Sequence, residues 1–112
     1  MHVQIYQIKV SDNTEDMNIL GRVFRGYDEV IKRFGPITNA VLVQFYDMVY
    51  EYDIKLENEN VNPRAILNEI WTKFNIDHPD NFRGHSLSVS DIVKLDDKYY
   101  YCDSFGWKDL SL

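Results

Sequence analysis

The opening segment alternates with apolar groups on both of its sides. Val3 and Ile5 share one side with Gln7, and Tyr6 and Ile8 share the other with Gln4. A strand with apolar groups on both faces belongs inside a sheet rather than at its edge. Ser11-Asp12-Asn13-Thr14 then reads as a turn cluster. Met17, Leu20 and Phe24 keep helical spacing over residues 15–24, a pattern that Gly21 weakens. A second helix is better marked. Tyr27, Val30, Ile31 and Phe34 fall at i, i+3, i+4 and i+7, with Asp28 and Glu29 in the first turn and Lys32 and Arg33 in the last. That charge order suits the helix dipole, and Gly35-Pro36 ends the element.

Residues 40–56 form a strand region. From Asp47 onward, Met48, Tyr50, Tyr52, Ile54 and Leu56 face one way. Asp47, Glu51, Asp53 and Lys55 face the other, with Val49 as the exception. The β-branched Val41-Leu42-Val43 extends the strand backwards, with helix as the competing reading. Asn62-Pro63 is a helix start, an N-cap followed by proline in the first turn. Ile66, Leu67, Ile70, Trp71 and Phe74 form the apolar face of a helix reaching about Asn75. Strands over Leu87–Leu95 and Lys98–Asp103 meet at the tight Asp96-Asp97 turn, and a short tail, Phe105–Leu110, follows. The sum is one small α+β domain: a three- or four-stranded, mainly antiparallel sheet with two or three helices packed on one face.

Length and composition narrow the function. The 112 residues suit one domain, and 45% hydrophobic with 14% aromatic residues is enough for a core. Eighteen acidic against twelve basic side chains leave a net charge of -6, the wrong sign for a non-specific nucleic-acid binder. It leaves basic protein partners open. The single cysteine, Cys102, excludes an internal disulfide and any multi-cysteine zinc site. The start lacks the basic and apolar stretches of a signal peptide, and no apolar run is long enough to span a bilayer. A cytoplasmic protein is expected.

Reactive candidates cluster late in the chain: Asp77, His78, Arg83, His85, Ser86, Ser88, Ser90, Asp91, Asp103 and Ser104. There is no Gly-x-Ser-x-Gly elbow and no His-Glu-x-x-His spacing. His78 and His85 lie seven residues apart across a proline and a glycine, a conceivable zinc pair that no further ligand spacing supports. Asp91 and the serines are read first as partners for loop backbone groups that fix a turn. A binding surface is the second reading and catalysis the last, so no catalytic residue, metal or cofactor is assigned. Tyr46, Tyr50, Tyr52, Tyr99, Tyr100 and Tyr101 could stack on nucleobases, but without a basic groove cross-strand packing is the better reading.

Two stretches also carry a resemblance. Arg83-Gly84-His85-Ser86-Leu87-Ser88-Val89-Ser90-Asp91, preceded by His78-Pro79, and the ending Tyr100-Tyr101-Cys102-Asp103-Ser104-Phe105-Gly106-Trp107 resemble the YodL-like domain. Gly26-Tyr27-Asp28-Glu29 and Met48-Val49-Tyr50-Glu51 add to it, so the likeness runs over roughly residues 20–108, with Cys102 and Trp107 as departures. The resemblance implies a protein of bacterial mobile elements, where such domains accompany antirestriction-type domains. A small acidic domain standing alone in that setting looks like an inhibitor of host defence, anti-CRISPR proteins included.

The acidic run sharpens this expectation. Asp47, Glu51, Asp53, Glu57 and Glu59 set five carboxylates against one base, Lys55. Carboxylates two residues apart on a strand lie about 6.6 Å apart, a row that can occupy a basic groove meant for a phosphate backbone. A solvated strand face is the plainer alternative. The expected function is therefore to bind and inhibit a host defence nuclease. An RNA-guided type II effector suits best, with guide RNA or DNA loading blocked. Arg83 and His85 are further partner-binding candidates. A non-enzymatic accessory module of a conjugative element or phage is the alternative, and a small nuclease using His78, His85 and Asp91 the weaker third.

Overall fold

The computed structural model describes residues 1–9, 26–56, 61–82, 84, 86–104 and 106–112, with Arg33 and Phe34 as backbone only. The described elements are β1 (His2–Ile8), α1 (Tyr27–Phe34), α2 (Asn39–Phe45), β2 (Tyr46–Asp53), α3 (Pro63–Ile76), β3 (Ile92–Leu95), β4 (Lys98–Asp103) and β5 (Gly106–Leu110). The strands form one sheet in the order β2-β1-β3-β4-β5, each neighbour antiparallel to the next. The protein is α+β, and β1 lies inside the sheet, as its two-sided apolar pattern requires. The helix expected over residues 15–24 lies outside the described residues.

Two helices follow their local signals closely. In α3, Asn62 caps the Arg64 amide with its side-chain oxygen (3.0 Å), and Pro63 opens the first turn. In α1, Gly35 takes φ +84°, a left-handed value that favours glycine, and its amide closes on the Ile31 carbonyl.

Helix α2 replaces the backward extension of the strand. Thr38 caps it by accepting from the Val41 amide, and Leu42 turns inward to a buried position. The cap and that single anchor outweigh the β-branched Val41 and Val43.

The helices divide over both faces of the sheet instead of sharing one. Strand periodicity is the cause, because each central strand has apolar residues on both sides. On one face Val3, Ile5, Val93, Leu95 and Tyr100 pack against Ile66, Leu67, Ile70 and Phe74 of α3. On the other, Ile8, Ile92 and Tyr101 pack against Val30 of α1 and Leu42 of α2. Each fully buried Leu, Ile or Phe contributes about 1.5–3 kcal/mol.

Among the described residues the sheet has five strands, more than the three or four expected, because the tail is β5. Gly106, at φ +102°, turns the chain so that Trp107 pairs with Cys102 and Leu110 with Tyr99. Conversely, the strand expected from Leu87 begins only at Ile92. Ser90 sits at φ +87°, which interrupts extended backbone, and Ser88–Asp91 forms a turn closed by the Asp91 amide on the Ser88 carbonyl.

Trp71 is not a core residue. It is 44% exposed on α3, one position beyond the buried Ile66, Leu67, Ile70 and Phe74 stripe.

Candidate functional site

Among the described residues strand β2 is an edge of the sheet, and its acidic side chains are exposed. Glu51 pairs with Gln4 and Asp53 with His2 across the ladder, which places these four side chains on the α1/α2 face. The Glu51 carboxylate accepts from Gln4 Nε2 (3.1 Å) and lies 3.4 Å from His2 Nε2. Asp53 lies 2.9 Å from His2 Nδ1. Glu51 and Asp53 are nevertheless 49% and 80% exposed. The hydrogen bond to Asp53 is the main influence holding the His2 imidazole above its usual range, against a smaller desolvation effect and with help from Glu51.

Asp47 does not share that face. The register shifts between Ile5 and Tyr6, so Tyr50 opposes Ile5, Met48 opposes Tyr6, and Val49 is the extra residue. This bulge inverts the pattern before it. Met48 joins Gln4 on the acidic face, where the Gln4 amide reaches its sulfur at 3.3 Å, and Asp47 falls opposite Gln7 on the α3 face. The expected row Asp47–Glu51–Asp53 is therefore two exposed carboxylates on one face and one, also exposed, on the other. Glu57 and Glu59 lie outside the described residues, as do Arg83 and His85.

The tyrosines pack as cross-strand and inter-layer contacts. Tyr50 meets Phe74 (5.5 Å) and Phe82 (5.8 Å) edge-on, Tyr27 meets Tyr101 (5.7 Å), and Tyr6 tilts against Tyr99 (6.3 Å).

The serine-rich turn is an internal brace. Asp91, fully buried, accepts from the Ser88 amide (2.8 Å) and from Gln7 Nε2 on β1 (3.1 Å). Ser88 Oγ donates to the Ser86 carbonyl, and the Tyr46 hydroxyl to the Ser90 carbonyl. Gly84 lies so close to Gln7 and Phe82 that a Cβ there would clash with both. Asp91 and its serines thus serve loop backbone groups.

Cys102 is also buried. Its thiol is pushed up to about 12 by desolvation and then by the Asp91 and Asp103 charges, so it stays protonated at neutral pH. His78 is exposed, with Nδ1 3.0 Å from the Pro79 carbonyl. Among the described residues no three His, Cys, Asp or Glu side chains gather as a metal site, and no helix is long and apolar enough to cross a membrane.

One residue acts in a way its sequence position does not announce. Asp103, at the end of β4, accepts from the Tyr27 amide (3.0 Å) and caps α1 from 76 residues away, because Gly26 has no side chain to do so. It accepts from the Ser104 amide through the same oxygen (2.8 Å).

These braces coincide with the stretches that resemble the YodL-like domain, and the model of that family matches residues 2–112. The chain belongs to the YodL-like domain family. The match extends the likeness from roughly residues 20–108 to β1 and the end of β5. An uncharacterized protein of Acanthamoeba polyphaga mimivirus is 36% identical over 78 residues, an alignment covering 59% of this chain and 69% of that protein. No solved structure matches. In this YodL-like domain, the signature turn ties β1 to the segment leading into β3, and the ending Tyr-Tyr-Cys-Asp-Ser carries both the β4 core residues and the cap of α1.

Proposed function

We propose that this YodL-like domain is a non-catalytic binding protein that covers a basic, nucleic-acid-handling surface of a partner with its acidic edge strand. The observation that carries the reading is the pair Glu51 and Asp53, exposed side by side on β2, at the edge of the sheet. An edge places them where a partner can approach without displacing a neighbouring strand. The net charge of -6 adds long-range attraction to a basic surface. The groups best suited to chemistry are otherwise engaged: Asp91 holds the signature turn, and the Cys102 thiol is buried and protonated.

The partner suggested by the family's setting is a host defence nuclease, with the positively charged channel of an RNA-guided type II effector as the specific target. Occupying that channel would block guide RNA or DNA loading. The likeness to a viral protein supports a role on the side of an invading genome.

The experiment is a pull-down of purified type II effector, without and with guide RNA, by the wild-type protein and by a Glu51→Lys/Asp53→Lys variant. The wild type binds the guide-free effector, more weakly as salt rises, and the variant does not. No binding to either form of the effector overturns the choice of target. Equal binding by the double variant overturns the role of β2.

A further inference from the structure

Among the described residues the sheet ends at two edges, β2 and β5, and they differ in what covers them. At β5, Cys102 spends both main-chain groups on Ser90 and Asp91, so its ladder partner Trp107 turns its own outward. Arg64 of α3 donates to that Trp107 carbonyl (3.3 Å) and pairs with the Asp109 carboxylate (2.8 Å). A side chain of the protein itself therefore already holds this edge.

Strand β2 is longer, eight residues against five, and its outward groups follow from the ladder. Met1 and Ile54 exchange both main-chain hydrogen bonds, each 2.8 Å. In an antiparallel pair such exchanges recur at every second position, so Tyr52 and Tyr50 turn toward β1 while Asp53 and Glu51 turn away. Glu51 and Asp53 thus present an outward N–H and C=O as well as an exposed carboxylate. Their side-chain contacts run inward, to Gln4 and His2 on β1.

An unpaired edge is a template for another strand, and the side chains beside it decide which strand. A second copy of β2 laid antiparallel would set carboxylate against carboxylate, which is destabilising. A residue directly opposite Glu51 or Asp53 lies on their face of the sheet, and a cation there makes a favourable cross-strand pair. The residue between falls on the other face, beside the half-buried Tyr50 and Tyr52, where an apolar side chain fits. The bulge at Val49 breaks the regular edge before Glu51 and confines the register to Glu51-Tyr52-Asp53.

We propose that β2 takes up an extended basic segment of a protein partner as an added antiparallel strand, with Lys or Arg opposite Glu51 and Asp53 and an apolar residue opposite Tyr52. The proposal rests on the reading of β2 as the binding surface and deepens it: the partner is held through its main chain as well as its charge.

The test is an NMR titration of the ¹⁵N-labelled full chain with the blocked peptide Arg-Val-Arg-Val-Arg. The Glu51 and Asp53 amides should exchange at least about tenfold more slowly with deuterium under saturating peptide than in the free chain. Methylating the arginine main-chain nitrogens removes the donors that face β2 and should weaken binding about tenfold or more. Methylating the valine nitrogens, which face away, should change it less than about threefold. The Glu51→Lys/Asp53→Lys variant should not bind. Glu51 and Asp53 amides left unprotected at saturation overturn the proposal, as does a failure of the peptide to bind at all. Equal binding of the arginine-methylated peptide overturns it too, since attraction is then by charge alone. That last result leaves the broader reading of β2 standing, and the effector pull-down judges that reading separately.

Discussion

The Tyr46 hydroxyl donates a 2.7 Å hydrogen bond to the carbonyl of Ser90, joining the start of β2 to the signature turn across 44 residues. Ser90 is buried, at φ +87°, and its amide donates to the Cys102 carbonyl. A non-glycine residue holds such a conformation only where its surroundings enforce it. Tyr46→Phe keeps the ring and removes the buried donor, so it should cost about 1–2 kcal/mol in urea unfolding. A variant as stable as wild type would show that the turn holds without this bond.

Asp91 should matter more. Its carboxylate serves the Ser88 amide and Gln7 in a site closed to water. Asp91→Ala removes the acceptor from both donors and should lower stability by about 2–3 kcal/mol. Thermal unfolding measures this directly, and a loss below about 0.5 kcal/mol would contradict the bracing role.

Two neighbouring aromatics of α3 should behave in opposite ways. Phe74 is fully buried against Tyr50, Tyr52 and Phe82, so Phe74→Ala should cost about 3–5 kcal/mol. Trp71 lines an open cleft between α3 and β5, so Trp71→Ala should cost less than about 1 kcal/mol. Comparable losses for the two would place Trp71 in the core.

Stability should fall in alkali. Burial pushes the Cys102 thiol from its ordinary 9.0 up to about 12, and burial with the Tyr50 and Glu69 neighbours pushes Tyr52 from 10.0 up to about 12. Between the two values of each group the unfolded chain has lost a proton that the folded chain keeps. The contribution is therefore fully present below the ordinary value and is lost as pH rises toward about 12. Denaturation midpoints measured from pH 8 upward should decline, and Cys102→Ala should flatten the first part of the decline.

Partner binding through β2 should carry the opposite pH dependence near neutrality. His2 is held above 6.5, chiefly by Asp53, and while protonated it offsets the Glu51 and Asp53 charges. Raising the pH through its titration leaves the strand more negative and should strengthen attachment to a basic surface. Binding measured against pH, beside a His2→Gln control that removes the step, checks this. A step that persists in His2→Gln would assign it to another group.

The elements written in the sequence were those whose signals are local. Helix α3 announced itself through Asn62, Pro63 and the Ile66–Phe74 stripe, and α1 through its four apolar positions and Gly35. Helix α2 was legible only as the competing reading, because Val41 and Val43 favour a strand and its inward anchor, Leu42, acts only once the sheet exists. The exposure of Glu51 and Asp53 was readable from the alternation. The position of Asp47 was not, since one inserted residue reverses the faces, although Val49 already stood out from the pattern. Asp103 could not be recognised as the cap of α1, because its partner is distant in sequence. Nor could the covering of the β5 edge, since it needs Arg64 of α3 beside Trp107.

Strands β1, β3 and β4 carry both apolar layers, with Ile92 and Val93, or Tyr100 and Tyr101, facing opposite ways from adjacent positions. Neither layer can come apart while the other keeps these strands in place. The two halves of the molecule should therefore melt as one cooperative unit, with backbone amides of Ile5, Val93 and Tyr101 among the last to exchange with deuterium. Damage to α2 or to α3 is then felt through the sheet on the far side, so a substitution meant to disturb one surface is best judged by what it does to the other.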